Sequence, residues 1–98
     1  MERFTDPEVI IEKVGSSWEL RDGALEKSLR FADFAAALGF VNSVGAIAEE
    51  LGHHPDITLR WDTVTLSCRT HSEDAITEYD IALCKRIDAL EGDASTST

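Results

Sequence analysis

The sequence is short of cysteine and of long apolar runs, and each shortage excludes a class of protein. Its two cysteines, Cys68 and Cys84, are too few and too far apart for a CxxC metal or redox motif, so we expect two small buried thiols. No run of about 18 apolar residues is present, which argues against a membrane span. Residues 1–9 lack the basic-then-apolar layout of a signal peptide. These absences predict a cytoplasmic protein.

Basic side chains and nucleotide-binding motifs are also scarce. Nine lysines and arginines stand against 19 aspartates and glutamates, which gives a net charge of −10. Phosphate contacts are made by lysine and arginine, so this balance argues against a nucleic-acid partner. The chain has no P-loop, GxGxxG or GxSxG motif, and we expect neither a nucleotide cofactor nor a nucleophilic serine.

The first third of the chain carries helix-start and turn signals. An acidic residue followed by proline predicts a helix over residues 7–14. Asp22-Gly23 is a strong hairpin signal, and it separates an extended segment at 18–20 from an alternating segment at 24–31. Lys27 interrupts the apolar face of the second segment, so we expect it near a sheet edge or reaching into a site.

Residues 32–51 form the clearest helical pattern. Apolar or small residues recur at spacings of four and three along one stripe, namely Phe34, Leu38, Val41, Gly45 and Ala48. Gly39 and Gly45 each weaken a helix by roughly 1 kcal/mol relative to alanine, which predicts close packing at both points. Gly52 stands where a left-handed residue commonly ends a helix.

The second half repeats the order of strands followed by a helix. Segments 57–61 and 64–68 alternate between apolar and hydroxyl-bearing residues, which predicts two antiparallel strands joined near Asp62, or one long bent strand. Thr77 and Asp80 then form a capping-box-like start to a last helix, with its apolar positions at Ile76, Tyr79, Leu83, Ile87 and Leu90.

The whole pattern predicts an α+β fold, with a small four-stranded antiparallel sheet and helices packed on one face. We expect a single domain over residues 1–92, with the last helix ending at Gly92 and a disordered tail at 93–98. The long helix has more apolar surface than one small sheet can cover. This surplus favours a homodimer or homotetramer.

All three histidines, His53, His54 and His71, lie between Glu49 and Asp80, where helices and strands are predicted to meet. No HxH, HxxxH or HExxH spacing is present, so a metal site is disfavoured. Histidines placed after a helix end with acidic neighbours suit proton donation near neutral pH. The alternative is three surface histidines with no chemical task.

These residues resemble the signature of the pterin-4a-carbinolamine dehydratases. The matched positions, separated by three, five, nine and eight residues, are Glu49, His53-His54-Pro55, Trp61, His71 and Asp80. A looser likeness extends over residues 18–90. The resemblance implies an α+β fold with a four-stranded sheet and the loss of water from 4a-hydroxytetrahydropterin, giving quinonoid dihydropterin. It implies a small-molecule pterin partner and neither a metal nor a redox cofactor.

The resemblance also implies roles for individual residues. His53 and His71 correspond to an acid–base pair, and His54 to a third site histidine that contacts the substrate. Asp80 corresponds to an orienting carboxylate, although it also suits a plain helix start. The remaining matched positions are implied to contact the substrate or to shape its pocket: Trp18, Glu49, Pro55, Thr70, Ser72 and Glu73. Core packing is an open alternative for Trp18 and the preferred interpretation for Trp61.

Two other functions remain open at this point. Some relatives of this family act as dimerisation partners of transcription factors or assist assembly of the large carbon-fixing enzyme. A non-catalytic copy is expected to have lost histidines, whereas this chain keeps all three. A dehydratase acting on a different pterin is the other alternative.

The acidic, lysine-poor surface suits a salt-rich cytoplasm, and this hypothesis generates a prediction about salt. In about 1 M salt the screening length falls to about 3 Å, which suppresses repulsion among surface carboxylates. We therefore expect the melting temperature to rise from low to high sodium chloride concentration, as followed by circular dichroism. A melting temperature independent of salt would contradict adaptation to a salt-rich cytoplasm.

Overall fold

The computed structural model describes residues 2–96, and the side chains of residues 2–90. The predicted order of helix, two strands, long helix, two strands and helix is confirmed, with two short strands and a 3-10 helix added. In chain order the elements are β1 (Arg3–Phe4), α1 (Pro7–Val14), β2 (Glu19–Arg21), β3 (Ala24–Arg30), α2 (Phe34–Leu51), β4 (Asp56–Arg60), β5 (Thr63–Cys68), the 3-10 helix (His71–Glu73), β6 (Ile76–Thr77) and α3 (Glu78–Thr96).

The main sheet has four antiparallel strands in the order β2-β3-β5-β4, so the predicted α+β fold is confirmed. Its register pairs Leu25 with Cys68 and places alternate residues of β3 and β5 on one face. Leu25, Leu66 and Cys68 on that face are fully buried in the core beneath the helices. The opposite face carries hydroxyls, with Ser28 and Thr65 hydrogen-bonded at 2.8 Å.

Two tight turns connect the strands of this sheet. Asp22 and Gly23 have φ of 51° and 78°, the left-handed pair that a two-residue hairpin turn of the predicted kind requires. In the β4–β5 turn Trp61 has φ of 55° and is 68% exposed. The prediction that Trp61 packs in the core is therefore wrong. Because Arg60 pairs with Thr63, Trp61 stands at the tip of the hairpin, beyond the packed face.

The caps explain where the helices begin and end. Asp6 accepts a hydrogen bond from the backbone N–H of Glu8, which confirms the start of α1. The long helix begins at Phe34 rather than at residue 32, because the Asp33 side chain accepts from the N–H of Ala36 at 2.8 Å.

The buried row of α2 differs from the predicted stripe. Its buried members are Ala37, Phe40, Val44, Ile47 and Ala48, whereas Phe34 and Leu38 are 45% and 41% exposed. A Cβ built on Gly39 or Gly45 meets no described atom within 4 Å, so the predicted close packing at both glycines is wrong. Both lie beside the buried row rather than on it. The exposed apolar residues are the surplus surface on which the oligomer prediction rests.

By length and composition α2 is apolar enough to cross a membrane, with 18 residues and a mean hydropathy of 1.3. The expected absence of a membrane span stays a prediction. The core helix of a globular domain passes the same test, and α2 buries Phe40 and Val44 in the same core as Leu66 of the sheet.

The two ends of the chain also depart from expectation. Residues 3–4 carry no sequence signal, yet they pair with Ile76–Thr77 as a two-stranded sheet. The last helix continues through Gly92 to Thr96, so its predicted end at Gly92 is wrong. The predicted disorder of the tail stays a prediction. Glycine costs a helix only about 1 kcal/mol and does not by itself terminate it. Residues 97–98 lie outside the described residues.

A polar cluster in the core accounts for Lys27. Its Nζ lies 2.9 Å from Oδ1 of Asp88 in α3 and 5.5 Å from the centre of the Trp18 ring. Trp18 is 2% exposed and donates its indole N–H to Asp88 at 3.0 Å. Lys27 therefore reaches from the apolar face of β3 to the half-buried carboxylate of Asp88.

The two cysteines, Cys68 on β5 and Cys84 on α3, are free and buried, as predicted. Hydrogen bonding with the Cys68 thiol, together with burial, raises the pKa of the Cys84 thiol. A thiol in this state stays protonated, and it packs as a small apolar group.

Replacement of Asp88 tests the polar cluster. Asp88→Ala leaves the buried indole N–H of Trp18 without its acceptor, and we expect it to lower the free energy of unfolding by about 1–3 kcal/mol. Asp88→Asn keeps an acceptor oxygen and should cost less. Urea denaturation measures both, with the exposed Glu12→Ala as a control. Equal stability of Asp88→Ala and the wild type would contradict this account.

Candidate functional site

A buried carboxylate stands at the junction of three elements. Asp80 is fully buried at the start of α3, and its Oδ2 accepts hydrogen bonds from the Thr70 hydroxyl at 2.7 Å and from the Thr77 backbone N–H at 2.9 Å. Its Oδ1 lies 2.6 Å from Nε2 of His53. A buried carboxylate needs such donors to offset its lost hydration, so Asp80 ties together the ends of β5, α2 and α3.

The same residues confirm the predicted capping box. Thr77 Oγ1 accepts a hydrogen bond from the backbone N–H of Tyr79 at 3.3 Å, and the Asp80 carboxylate accepts one from the backbone N–H of Thr77. The Thr70 and Thr77 hydroxyl oxygens are 2.7 Å apart. A hydroxyl has one hydrogen, and that of Thr70 goes to Asp80, so Thr77 donates to Thr70.

The C-terminal end of α2 aims His53 at this carboxylate. Gly52 is left-handed with φ of 65°, as predicted, and the N–H of His53 bonds to the Ala48 carbonyl at 3.1 Å. One turn earlier Arg86 of α3 donates to Glu50 at 2.8 Å, which holds the pKa of that carboxyl below its usual value. The helix end is thereby fixed against α3. The His53 side chain is 14% exposed, so only part of its ring meets solvent.

His71 lies on a compact loop that follows β5. Thr70 and Ala75 bridge this loop through backbone hydrogen bonds, of which the Thr70 N–H to Ala75 carbonyl bond is 2.9 Å. Arg69 forms an ion pair with Asp74 across its base. Because Thr70 is bonded to the carboxylate that holds His53, the loop brings His71 to the same end of the molecule.

The other two histidines are more open than His53. His54 Nε2 lies 2.5 Å from Oε2 of Glu49, and their side chains are 60% and 78% exposed. His71 Nε2 lies 3.8 Å from Oδ2 of Asp56, with exposures of 67% and 74%. Within the described residues the histidines therefore form a surface cluster around one buried dyad. No histidine lines the grooves of about 280 and 410 Å³ found elsewhere.

Two of the implied substrate contacts are buried side chains. Trp18 packs in the core with its indole N–H bonded to Asp88. Thr70 is 5% exposed, and its hydroxyl donates to Asp80. The substrate contacts implied for these two residues stay predictions. Glu73 pairs with Arg3 at 3.2 Å. Pro55 and Ser72 lie on the two loops of the cluster, and their predicted contacts stay predictions.

The structure adds Tyr79, which the helical pattern had placed on a packed face. It is 46% exposed, and its ring centre is 5.7 Å from that of His53. The sequence contains a signal for this exposure. Tyr79 precedes Asp80 on the helix, and neighbouring residues on a helix are rotated by about 100°, so a buried Asp80 directs Tyr79 away from the core.

The cluster suits proton transfer. The 2.6 Å contact between His53 Nε2 and Asp80 Oδ1 fixes one ring nitrogen of His53, and an imidazole held at one nitrogen can exchange a proton through the other. Among the residues that the structure describes, no group of three histidine, cysteine or acidic side chains is arranged to hold a metal ion.

Replacement of the buried carboxylate tests this network. Asp80→Asn keeps the size of the side chain but turns an NH₂ group toward at least one of its three donors. We expect a loss of about 1–3 kcal/mol in the free energy of unfolding, measured by urea denaturation. The exposed Glu78→Gln, at the start of the same helix, is the matched control. An unchanged midpoint for Asp80→Asn would exclude a charged, fully bonded Asp80.

Comparison with known proteins gives one consistent result. The family model described as pterin 4 alpha carbinolamine dehydratase matches residues 4–90. A protein of Mycobacterium tuberculosis H37Rv that carries the name of this dehydratase is 44% identical over 77 residues, covering 79% of this chain and 82% of its own length. One from Acidobacterium capsulatum is 42% identical over 86 residues, covering 86% and 94%.

Solved structures agree with the sequence matches. A transcriptional coactivator/pterin dehydratase from Brucella melitensis superposes with a TM-score of 0.81 at 33% identity, covering 90% of this chain and 97% of that one. A pterin dehydratase-like protein identified as a RuBisCO assembly factor in the alpha-carboxysome gives 0.65 at 27% identity, covering 81% and 94%. By family model, relatives and fold, the chain belongs to the pterin-4-alpha-carbinolamine dehydratase family.

Proposed function

We propose that this chain removes water from 4a-hydroxytetrahydropterin to give quinonoid dihydropterin, using its histidines as acid and base. The observation that supports this most directly is the 2.6 Å contact between His53 Nε2 and the buried Asp80. A histidine fixed by a carboxylate at one nitrogen presents a single, oriented nitrogen to a substrate. Family membership supplies the pterin as the class of substrate.

The reaction requires two proton movements. Hydroxide is a poor leaving group, so a donor protonates the C4a oxygen as the C4a–O bond breaks and water departs. A base takes a proton from a ring nitrogen, whose electrons complete the double bond to C4a. One protein group gives a proton and a second group takes one. Transfer of a proton from the second group to the first then restores both to their starting protonation states.

His53 and His71 are the proposed pair, with His53 oriented by Asp80 and His71 on the facing loop. His54, bonded to Glu49, is proposed to bind the substrate edge, and Glu49 to accept from a pterin N–H. Thr70 acts through Asp80. The exposed apolar surface of α2 supports a proposed assembly of two or four copies.

A binding role is the second candidate, since the two similar structures are described as a coactivator/dehydratase and as an assembly factor. Full retention of His53, His54 and His71 favours catalysis for this chain.

The direct test follows quinonoid dihydropterin formation by rapid absorbance from freshly made 4a-hydroxytetrahydropterin, in low and high salt. We expect the wild type to exceed the spontaneous rate, and His53→Ala and His71→Ala each to lose about 10²–10⁴-fold in kcat. Glu12→Ala, on the exposed side of α1, should match the wild type. A folded wild type that fails to exceed the background at either salt concentration would refute the dehydratase and favour the binding role.

A further inference from the structure

Tyr79 is an exposed aromatic side chain placed directly against the His53–Asp80 dyad. Its ring centre lies 5.7 Å from that of His53, with 33° between the two planes. Nearby apolar residues of the same region, Ile76 and Ile81, are 2% and 8% exposed, whereas Tyr79 is 46% exposed. Core packing therefore does not account for its position.

The local structure holds this ring where it is. Its backbone N–H is bonded to Thr77 Oγ1, and the following residue, Asp80, is drawn inward by three donors. Neighbouring residues on a helix are separated by about 100° of rotation, so the inward Asp80 directs Tyr79 outward beside the imidazole. The capping box thus fixes both Asp80, which holds His53, and Tyr79, which lies beside His53.

His53 does not depend on Tyr79 for its orientation. The Asp80 carboxylate holds its Nε2, and the helix end holds its backbone through the Ala48 carbonyl. An aromatic face that is half open to solvent beside an already fixed histidine is instead suited to contact with a flat ligand.

We propose that Tyr79 binds the pterin by stacking on the planar, conjugated guanidine–amide part of its pyrimidine ring. This inference rests on the proposed dehydratase function. The substrate is puckered at its tetrahedral C4a, but the guanidine–amide part stays flat, and stacking of such a nucleobase-like group on an aromatic side chain is favourable without demanding any one substituent pattern. The 5.7 Å between the Tyr79 and His53 rings keeps a stacked ring within reach of the proton-transfer group.

The experiment compares Tyr79→Ala, Tyr79→Leu and Tyr79→Phe with the wild type. KM and kcat are measured for 4a-hydroxytetrahydropterin, and Kd for 7,8-dihydropterin by fluorescence titration. We expect the alanine and leucine variants to raise KM and Kd about tenfold, with kcat and its pH profile little changed. Tyr79→Phe keeps the aromatic face and should resemble the wild type. Phe34→Ala, an exposed aromatic on α2, is the control.

The possible failures are separable. An active wild type whose KM and Kd are unchanged in Tyr79→Ala and Tyr79→Leu overturns the inference and leaves the dehydratase standing. A lower kcat with a shifted pH profile and unchanged KM also overturns it, because Tyr79 would then position His53 only. A wild type that neither binds 7,8-dihydropterin nor accelerates dehydration refutes the proposed function, and this inference with it. The leucine variant retains apolar volume should the alanine variant fail to fold.

Discussion

The buried carboxylate of Asp80 is the constraint around which this end of the molecule is built. A charge without solvent is stable only when donors surround it, and the donors are Thr70 in the loop after β5, Thr77 of β6 just before α3, and His53 two residues after α2. The end of α2, the loop after β5 and the start of α3 must therefore meet at one point. The meeting point is also where the histidines gather, so the group that caps a helix is the group that orients the proposed acid–base residue.

A second carboxylate of α3, the half-buried Asp88, also joins segments that are distant in the chain. Asp88 receives the Trp18 indole N–H and the Lys27 ammonium, which joins α3 to β3 and to the segment before β2. One helix thus carries two acidic anchors, eight residues apart, in a domain of 98 residues. Asp88 ties α3 to the sheet through Lys27 of β3, whereas Asp80 ties α3 to His53 after α2 and to Thr70 in the loop after β5.

The family relationship and the site make different contributions to the functional conclusion. Similar folds are described as a coactivator/dehydratase and as an assembly factor, so the fold alone does not distinguish catalysis from binding. The distinction lies in side chains, and here the histidines, the orienting carboxylate and its two threonines are all present together. His54 and His71 are exposed beside a nearly enclosed His53, which is the arrangement on which the proposed acid–base function rests.

The sequence by itself determined the features that act through near neighbours. Asp6-Pro7, Asp22-Gly23, Gly52 and the Thr77–Asp80 pair each set a helix end or turn through backbone bonds within a few residues, and each lies where it was expected. Tertiary structure alone decided the burial of Trp18, whose partner is 70 positions away, and the exposure of Trp61 and Tyr79. Periodicity in the sequence shows which face of a helix or strand is apolar. Whether another element packs on that face depends on contacts between segments far apart in the chain.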